Sequence, residues 1–262
     1  MSKFYSLFSS SQGNASYIQG IGGGVLVDIG VSCRRLLRKM QSCRISPESI
    51  RGILITHSHM DHIRGLQIFL KKFPLPVFAS AETLATLRDT LPEGTDCRVI
   101  PQNEPFLIND IAVTAFPTMH DSPGSCGFRL EMPDGQSCAV CTDLGVVTPE
   151  VEQGVFGANL VLLESNYDPQ MLRTGSYPFV TKQRIQSDYG HLSNEDSADF
   201  AVKLVENGTT RLVLGHLSAY NNTHFLAQQS ALQCLHAHQM MENRDFLFSI
   251  SHPEGLEQAV IF

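Results

Sequence analysis

Alternating apolar and polar positions, broken by short polar turns, run through the first third of the chain. Between residues 4 and 28 this pattern predicts three strands joined by turns. A helix is predicted at residues 32–40, and the apolar run at residues 53–55 predicts a buried strand. Apolar positions recur at helical spacing from residue 63 to residue 73, which predicts the next helix. The opening pattern is therefore that of a sheet with helices attached.

The rest of the pattern predicts a second sheet and then alternating strands and helices. Several strands are predicted between residues 98 and 142, with a hairpin turn at residues 133–135. Later come a buried strand at residues 160–164 and helices at residues 194–206 and 223–241. Two β-rich halves, each with its own helices, predict an α/β (α+β) protein with two packed, mixed sheets and helices outside.

Composition and charge narrow the class of protein. The chain has 262 residues, 42% of them hydrophobic, which suits one compact domain over residues 1–262 with a substantial core. The formal net charge of −7 argues against a globally basic surface that coats nucleic acid, but it leaves room for a local phosphate site beside metal cations. The N-terminal segment is too polar for a secretory signal, and no apolar run has the length of a membrane span. We therefore expect a cytoplasmic protein without membrane association.

The seven cysteines are scattered and odd in number, so they do not predict a disulfide framework. Cys138 and Cys141 have the C-x-x-C spacing of a redox pair or of half a zinc site. They also lie in an alternating apolar run without a second such pair, which favours buried strand thiols.

Ligand-type side chains are concentrated directly after the buried strand at residues 53–55. His57, His59, Asp61 and His62 place three imidazoles and one carboxylate in a short stretch. On an extended backbone every second side chain points the same way, so His57 and His59 can share one metal ion. Asp61 and His62, at the start of the following helix, turn towards a second ion. Each residue alone has an ordinary explanation, such as a helix N-cap for Asp61, but the four together predict a metal site.

Four further polar residues stand where a predicted strand passes into a loop. They are His120, Asp143, His191 and His216. Each alone can be a hydrogen-bonded loop residue. Together with the four residues above, they complete a ligand set for two metal ions.

The order His-x-His-x-Asp-His, followed by a single histidine, an aspartate and a final histidine, resembles the metallo-β-lactamase superfamily. The resemblance implies a four-layered αββα sandwich that holds its metal ions at one edge. It also implies three ligands for each ion and one bridging carboxylate: His57, His59 and His120 for the first ion, Asp61, His62 and His216 for the second, and Asp143 as the bridge. Aspartate in place of cysteine at the bridge is similar to the glyoxalase II, lactonase, phosphodiesterase and nuclease branches.

Several loop motifs resemble a narrower group, the YycJ/WalJ group of metallo-β-lactamase-fold proteins. These motifs lie at residues 10–14, 142–145, 163–168, 182–185, 190–196, 216–218 and 221–223. The resemblance implies a cytoplasmic, metal-dependent exonuclease that acts 5′ to 3′ on DNA. The chain departs from the RNase J-like nucleases because the segment between Asp143 and His216 is too short for a nucleic-acid clamp domain, and it lacks a strong basic run.

Nitrogen and carboxylate ligands suit Zn²⁺, Mn²⁺ or Fe²⁺. Two such ions can share a water, lower its pKa to about 7 and stabilise charge on a phosphoryl or carbonyl oxygen. The hypothesis is in-line attack of this bridging hydroxide on a phosphodiester, with Asp61 and His191 as the catalytic residues. His191 is the candidate proton donor to the leaving oxygen, or alternatively a brace for a ligand carboxylate. Asp28 and Glu164, at strand ends, are expected to orient ligands or loops.

The candidate substrate contacts are cations and polar loop residues. For phosphate they are Arg173, Lys182 and Arg184, and for polar loop contacts Ser11, Asn14 and Asn222. Any one of these cations can instead belong to a solvated surface. Two rival functions stay open: hydrolysis of a small thioester, lactone or cyclic phosphodiester, and a non-catalytic role as a metal-binding regulator.

Overall fold

The computed structural model describes residues 1–101 and 104–262, whose strands form two sheets. The first sheet contains β1 (Lys3–Phe8), β2 (Ala15–Gly20), β3 (Gly23–Val27), β4 (Ile50–Leu54), β5 (Val77–Ala79), β6 (Cys97–Val99) and β14 (Val260–Ile261). The second contains β7 (Phe106–Ile108), β8 (Ile111–Pro117), β9 (Cys126–Glu131), β10 (Ser137–Cys141), β11 (Leu160–Glu164), β12 (Arg211–Gly215) and β13 (Leu247–Ile250). The α-helices are α1 (Cys33–Ser42), α2 (Met60–Ile63), α3 (Leu66–Lys72), α4 (Ala81–Leu87), α5 (Pro149–Val155), α6 (Pro169–Thr174), α7 (Phe179–Ile185), α8 (Asn194–Glu206) and α9 (His224–Ala237). In this part of the chain no helix is both long enough and apolar enough to cross a bilayer.

Both sheets combine antiparallel and parallel strands. The strand order is β14-β1-β2-β3-β4-β5-β6 in the first sheet and β13-β12-β11-β10-β9-β8-β7 in the second. Neighbouring strands are parallel from β3 to β6 and from β10 to β13. Because the carboxyl ends of parallel strands share one edge, the residues that follow β10 and β12 lie at the same edge as the end of β11.

Apolar side chains fill the space between the sheets and cover both outer faces. Val27 of the first sheet and Phe128 of the second belong to the core between the sheets. Leu36 of α1 packs on the outer face of the first sheet, whereas Phe200 of α8 and Leu235 of α9 pack on the outer face of the second. Full burial of such a side chain contributes about 1.5–3 kcal/mol. The layers therefore run α, β, β, α, and the predicted sandwich of two mixed sheets with helices outside is confirmed.

The helix predicted at residues 63–73 is confirmed as α3, but its predicted start is wrong. The chain forms α2, breaks near Gly65 and then forms α3. Gly65 donates its N–H to the carbonyl of Ile29 at 2.9 Å, and a Cβ on Gly65 would collide with the backbone that follows β3. This close packing separates α2, the short helix that carries Asp61 and His62, from α3.

The helix predicted at residues 223–241 is also too long, because α9 ends at Ala237. Gln239 has a φ of 62°, which is a left-handed conformation that a right-handed helix does not continue through. The N–H of His238 closes the helix by donating to the carbonyl of Cys234.

All seven cysteines are free in the described residues. Cys138 and Cys141 are fully buried in β10, and burial raises the pKa of both thiols. The interpretation of this pair as buried strand thiols is confirmed.

Candidate metal centre

The side chains predicted as metal ligands meet at one edge of the sandwich. His57 follows β4, Asp143 follows β10 and His216 follows β12, while α2 carries Asp61 and His62. Donor atoms lie within 4.8 Å of one another in three groups: His57, His59 and His120; Asp61, His62 and His216; and His57, His62 and Asp143. The first two groups correspond to the two ligand triads implied by the family resemblance. The third joins Asp143 to one histidine of each triad, as a bridging carboxylate requires.

Four of these imidazoles have the Nδ1 atom engaged by a neighbour. Nδ1 contacts Thr56 Oγ1 at 3.0 Å in His57, Asp28 Oδ2 at 2.8 Å in His62, Gly190 O at 3.0 Å in His120 and Glu164 Oε1 at 2.7 Å in His216. Carboxylate and carbonyl oxygens only accept hydrogen bonds, so in the neutral imidazole Nδ1 carries the proton and Nε2 keeps its lone pair. The Thr56 hydroxyl itself donates to Asp28 Oδ2 at 2.9 Å and is left to accept from His57. Such partners fix the tautomer of metal-binding histidines, and these rings are oriented for coordination through Nε2.

Several donor atoms at the centre are buried and lack a hydrogen-bond partner in the described chain. They are Nε2 of His57, Nε2 of His216 and Oδ2 of Asp143. An unsatisfied buried polar group costs about 1–3 kcal/mol. Imidazole nitrogen and carboxylate oxygen are donors that divalent transition metals accept. The residues present therefore fit divalent metal ions.

Buried carboxylates give the centre a strong attraction for positive charge. Burial lowers the pKa of His216, but the neighbouring carboxylates, chiefly Asp143, outweigh it and raise that pKa to about 10. The pKa of His62 is raised for the same reason, again against the effect of burial. Burial acts to raise the pKa of Asp143, yet the imidazoles of His216 and His62 hold it well below its ordinary value. A bound cation would replace the additional proton that these carboxylates favour.

Three residues around the centre adopt left-handed backbone conformations. The φ angles are 60° at Asp28, 61° at Asp143 and 56° at His216. Non-glycine residues in sparsely populated backbone regions cost on the order of 1–3 kcal/mol, and they persist where the surrounding structure enforces them. Each of the three lies just beyond a strand, so the chain turns at the edge where the donor atoms meet.

Glu164 connects two histidines to the backbone of neighbouring loops. It is completely buried at the end of β11. Its Oε1 accepts from Nδ1 of His191 at 2.8 Å and from Nδ1 of His216 at 2.7 Å. Its Oε2 accepts from the backbone N–H groups of Leu144 at 3.1 Å and Leu192 at 3.3 Å. Glu164 thus orients both imidazoles, and Asp28 does the same for His62.

His191 lies beside the centre, with 14% of its side chain exposed. Its Nδ1 is 3.9 Å from Asp143 Oδ1, and these two residues form a further compact donor group with Glu164 and His216. The imidazoles of His191 and His216 both donate hydrogen bonds to Glu164, however. These hydrogen bonds occupy the space that an ion would need between the donor atoms. Nε2 of His191 has no hydrogen-bond partner within residues 1–101 and 104–262.

Asn14 and Gly30 fix the position of the α2 helix. The Asn14 amide nitrogen lies 3.4 Å from Asp61 Oδ2 and 3.1 Å from His62 Nε2, and its backbone N–H donates to the Asp61 carbonyl at 2.8 Å. A Cβ on Gly30 would lie 1.5 Å from that carbonyl oxygen, so only glycine fits. The structure places Asn14 against ligand residues, and its contact with substrate stays a prediction.

The cations predicted to contact phosphate lie on α6 and α7. Arg184 forms an ion pair with Asp121, whose carboxylate is 3.4 Å from His120 Nε2. Lys182 donates to the backbone carbonyl of Arg173 at 2.8 Å, and both residues line a groove of about 680 Å³. Arg184 therefore stands next to the metal centre, whereas the other two cations lie along a neighbouring groove.

The two remaining candidates for polar contacts differ in exposure. Ser11 is exposed in the loop between β1 and β2. Asn222 is buried: its amide nitrogen donates to the carbonyls of Ser165 and Asn166, and its oxygen accepts from Asn194. The structure leaves Ser11 accessible and uses Asn222 within the protein, and substrate contact by either stays a prediction.

The sequence pattern does not identify Thr56 or Asp121 as site residues. The Thr56 hydroxyl lies 3.0 Å from His57 Nδ1 and 3.2 Å from His62 Nδ1, and Asp121 contacts two further histidines of the centre. The sequence feature that could have identified them is their position, because Thr56 directly precedes one predicted ligand and Asp121 directly follows another.

Comparisons with known proteins agree with this geometry. Residues 24–217 match the model of the Beta-lactamase superfamily domain. The chain is 33% identical over 237 residues to Exodeoxyribonuclease WalJ of Streptococcus pneumoniae serotype 2, covering 89% of this chain and 88% of that protein. It is 33% identical over 240 residues to Exodeoxyribonuclease YycJ of Bacillus anthracis, covering 88% of each. The crystal structure of the metallo-β-lactamase-fold protein YhfI from Bacillus subtilis shares the fold at a TM-score of 0.73 and 17% identity, over 97% of this chain and 98% of that one.

Proposed function

We propose a function from one premise: the chain belongs to the beta-lactamase superfamily, in the YycJ/WalJ-like group of metallo-β-lactamase-fold proteins. It is a metal-dependent phosphodiesterase that releases nucleotides from DNA as a 5′ to 3′ exonuclease. The observation that carries this proposal is the set of imidazoles held at Nδ1 so that Nε2 is available beside a buried aspartate. The names of the two relatives support DNA as the substrate.

The residues of the centre would hold two divalent ions, either Zn²⁺ or Mn²⁺, with Fe²⁺ as a third option. His57, His59 and His120 would hold the first ion, Asp61, His62 and His216 would hold the second, and Asp143 would be shared between the two. Bound ions would activate water and neutralise charge on the phosphate. The chain itself holds the ligands in position through Asp28, Thr56 and Glu164.

His191 supplies the proton that the leaving oxygen needs. Glu164 accepts from its Nδ1 at 2.8 Å, so the imidazolium form carries a second proton on Nε2, which it gives to the leaving oxygen to become the neutral imidazole. Asp61 acts with the second group of ligands, because its Oδ2 lies 3.5 Å from Nε2 of both His62 and His216. Asp61 is thus itself a member of the second triad, and it also helps to position the two histidines of that triad.

Substrate phosphates meet the cations of α6 and α7. Arg184 is nearest to the centre, because its partner Asp121 contacts His120. Arg173 and Lys182 line the neighbouring groove together with Asp168 and Glu195. Ser11 and Asn14 are the proposed polar loop contacts, and Asn222 takes part by holding the backbone of Ser165 and Asn166 in place. The protein acts in the cytosol as one domain over residues 1–262.

A substrate panel tests the proposed reaction. Metal-loaded protein is incubated with DNA and RNA oligonucleotides labelled at either end, with bis(p-nitrophenyl)phosphate, and with a small thioester and a lactone. We expect release of mononucleotides from the 5′ end of DNA and turnover of the phosphodiester analogue. Turnover of the thioester or lactone alone would contradict the proposal in favour of a small-molecule hydrolase. Inactivity of metal-loaded protein on every substrate would favour a non-catalytic role.

A further inference from the structure

Exposed aromatic side chains are confined to one part of the chain. It contains 15 phenylalanines and 6 tyrosines, nearly all of them at least partly buried. In the described residues the mainly exposed ones are Phe179, Tyr189, Tyr220 and Phe225. All four lie in the segment that also supplies His191 and His216. An exposed aromatic ring beside a catalytic centre offers a surface on which a ligand with a flat face can stack.

Tyr189 lies beside a shallow, open cavity next to the metal centre. This cavity, of about 520 Å³, is lined by Tyr189 and residues 117–125, which include Asp121. Tyr189 is 56% exposed, whereas the His120 imidazole is buried. A group bound in this cavity would contact the tyrosine and Asp121, whose carboxylate lies 3.4 Å from His120 Nε2.

The backbone around Tyr189 is held in place, although the ring is free. Gly190 donates its N–H to Ser187 O at 2.8 Å, and its own carbonyl accepts from His120 Nδ1 at 3.0 Å. A Cβ on Gly190 would lie 2.1 Å from the Ile185 carbonyl oxygen, so this turn packs against the end of α7. The Tyr189 hydroxyl has no hydrogen-bond partner in the described part of the chain. The turn therefore holds the Tyr189 backbone in place and leaves its side chain available for contact with a ligand at the cavity.

Charged groups of both signs lie near this cavity. Arg184 is paired with the cavity residue Asp121, and Lys182 precedes it on α7. Asp188 and Glu82 are further nearby carboxylates, and Glu82 lies against the cavity residue Gly124. A phosphate would therefore reach the Arg184 guanidinium in competition with Asp121. Proteins that bind unpaired nucleic acid combine cations along the backbone with aromatic rings on which bases stack. Tyr189 and Arg184 provide one of each.

We propose that Tyr189 stacks on the base of the terminal nucleotide, so that the enzyme reads the presence of a base at the end that it digests. This inference rests on the proposed exonuclease function and adds its substrate requirement: a terminal nucleotide whose base is unpaired and intact. Stacking depends on the flat face that every base has, so the requirement is for a base and not for a particular sequence.

The test compares two duplexes that differ only at an unpaired 5′-terminal nucleotide, which is thymidine in one and an abasic residue in the other. Metal-loaded wild-type protein is expected to release the thymidine nucleotide about tenfold faster, the scale set by loss of one base–aromatic stack. Tyr189→Ala should bring the ratio close to one, whereas Tyr189→Phe should keep it because stacking needs the ring and not the hydroxyl. Tyr220→Ala, which removes an exposed tyrosine outside this cavity, is the matched control and should keep the wild-type ratio.

Two results would overturn the inference while the proposed function stands: wild-type protein that digests both duplexes at equal rates, or Tyr189→Ala that keeps the full preference. If metal-loaded wild-type protein releases no nucleotide from either duplex, the proposed exonuclease function fails and the inference fails with it. Thermal unfolding of each variant shows whether an altered ratio accompanies an intact fold.

Discussion

Asp143→Ala is expected to lose both divalent ions together and to lower phosphodiester turnover by more than about two orders of magnitude. The carboxylate lies 3.2 Å from His62 Nε2 and 3.7 Å from His120 Nε2, so it contacts one histidine of each triad. Mutation of a group that only hydrogen-bonds a metal ligand already costs about 10–100-fold in metal affinity or activity. Loss of a ligand shared by both ions should cost more than that.

Elemental analysis of purified protein, combined with rates on bis(p-nitrophenyl)phosphate, measures this outcome. Asp143→Asn is the companion variant, because asparagine tolerates the φ of 61° at this position while removing the charge. Asp89→Ala, at an exposed position far along the chain from the ligands, is the control and should retain metal and activity. One ion remaining at full occupancy in Asp143→Ala would show that Asp143 does not bridge.

His191→Gln is expected to keep the metal ions and to reduce turnover by about two orders of magnitude, the usual contribution of a positioned proton donor. Glutamine can still occupy the space and reach Glu164, but it cannot transfer a proton near neutral pH. The measurement pairs metal content with single-turnover rates, so that binding and chemistry are separated.

Glu164→Gln is the comparison variant for His191→Gln. It weakens the hydrogen bonds to Nδ1 of both His191 and His216, so we expect metal affinity to fall about 10–100-fold. If His191→Gln instead loses metal in the same way, His191 acts as a brace, and the assignment as proton donor is wrong.

Much of the fold could be predicted because the elements follow local patterns. Strand β11 and helix α8 have the predicted bounds, since periodicity and caps define them within a few residues. The break at Gly65 could not be predicted, because it depends on a backbone contact with Ile29 that forms only in the folded chain. That residues 1–262 form one domain stays a prediction.

The residues of the metal centre could be predicted from the sequence for a related reason. Closely spaced histidines follow one strand, and the remaining ligands each follow another strand, so ligand-type residues that recur at strand ends indicate a shared site. The contacts of Arg184 with Asp121 and of Asn222 with Asn194 are long-range side-chain pairings that no local pattern encodes. The structure brings the seven predicted ligands together, while their metal binding stays a prediction.

Metal titration of chelator-treated protein tests the central claim most directly, that these seven side chains bind a pair of divalent ions on which hydrolysis depends. Protein stripped of metal is titrated with Mn²⁺ or Zn²⁺ while bound metal and phosphodiester cleavage are followed together. The account predicts two equivalents per chain, with cleavage absent at the start and restored as the ions bind. Full cleavage by the stripped protein would contradict it. So would a wild-type chain that binds no ion at saturating concentrations of Mn²⁺ and Zn²⁺.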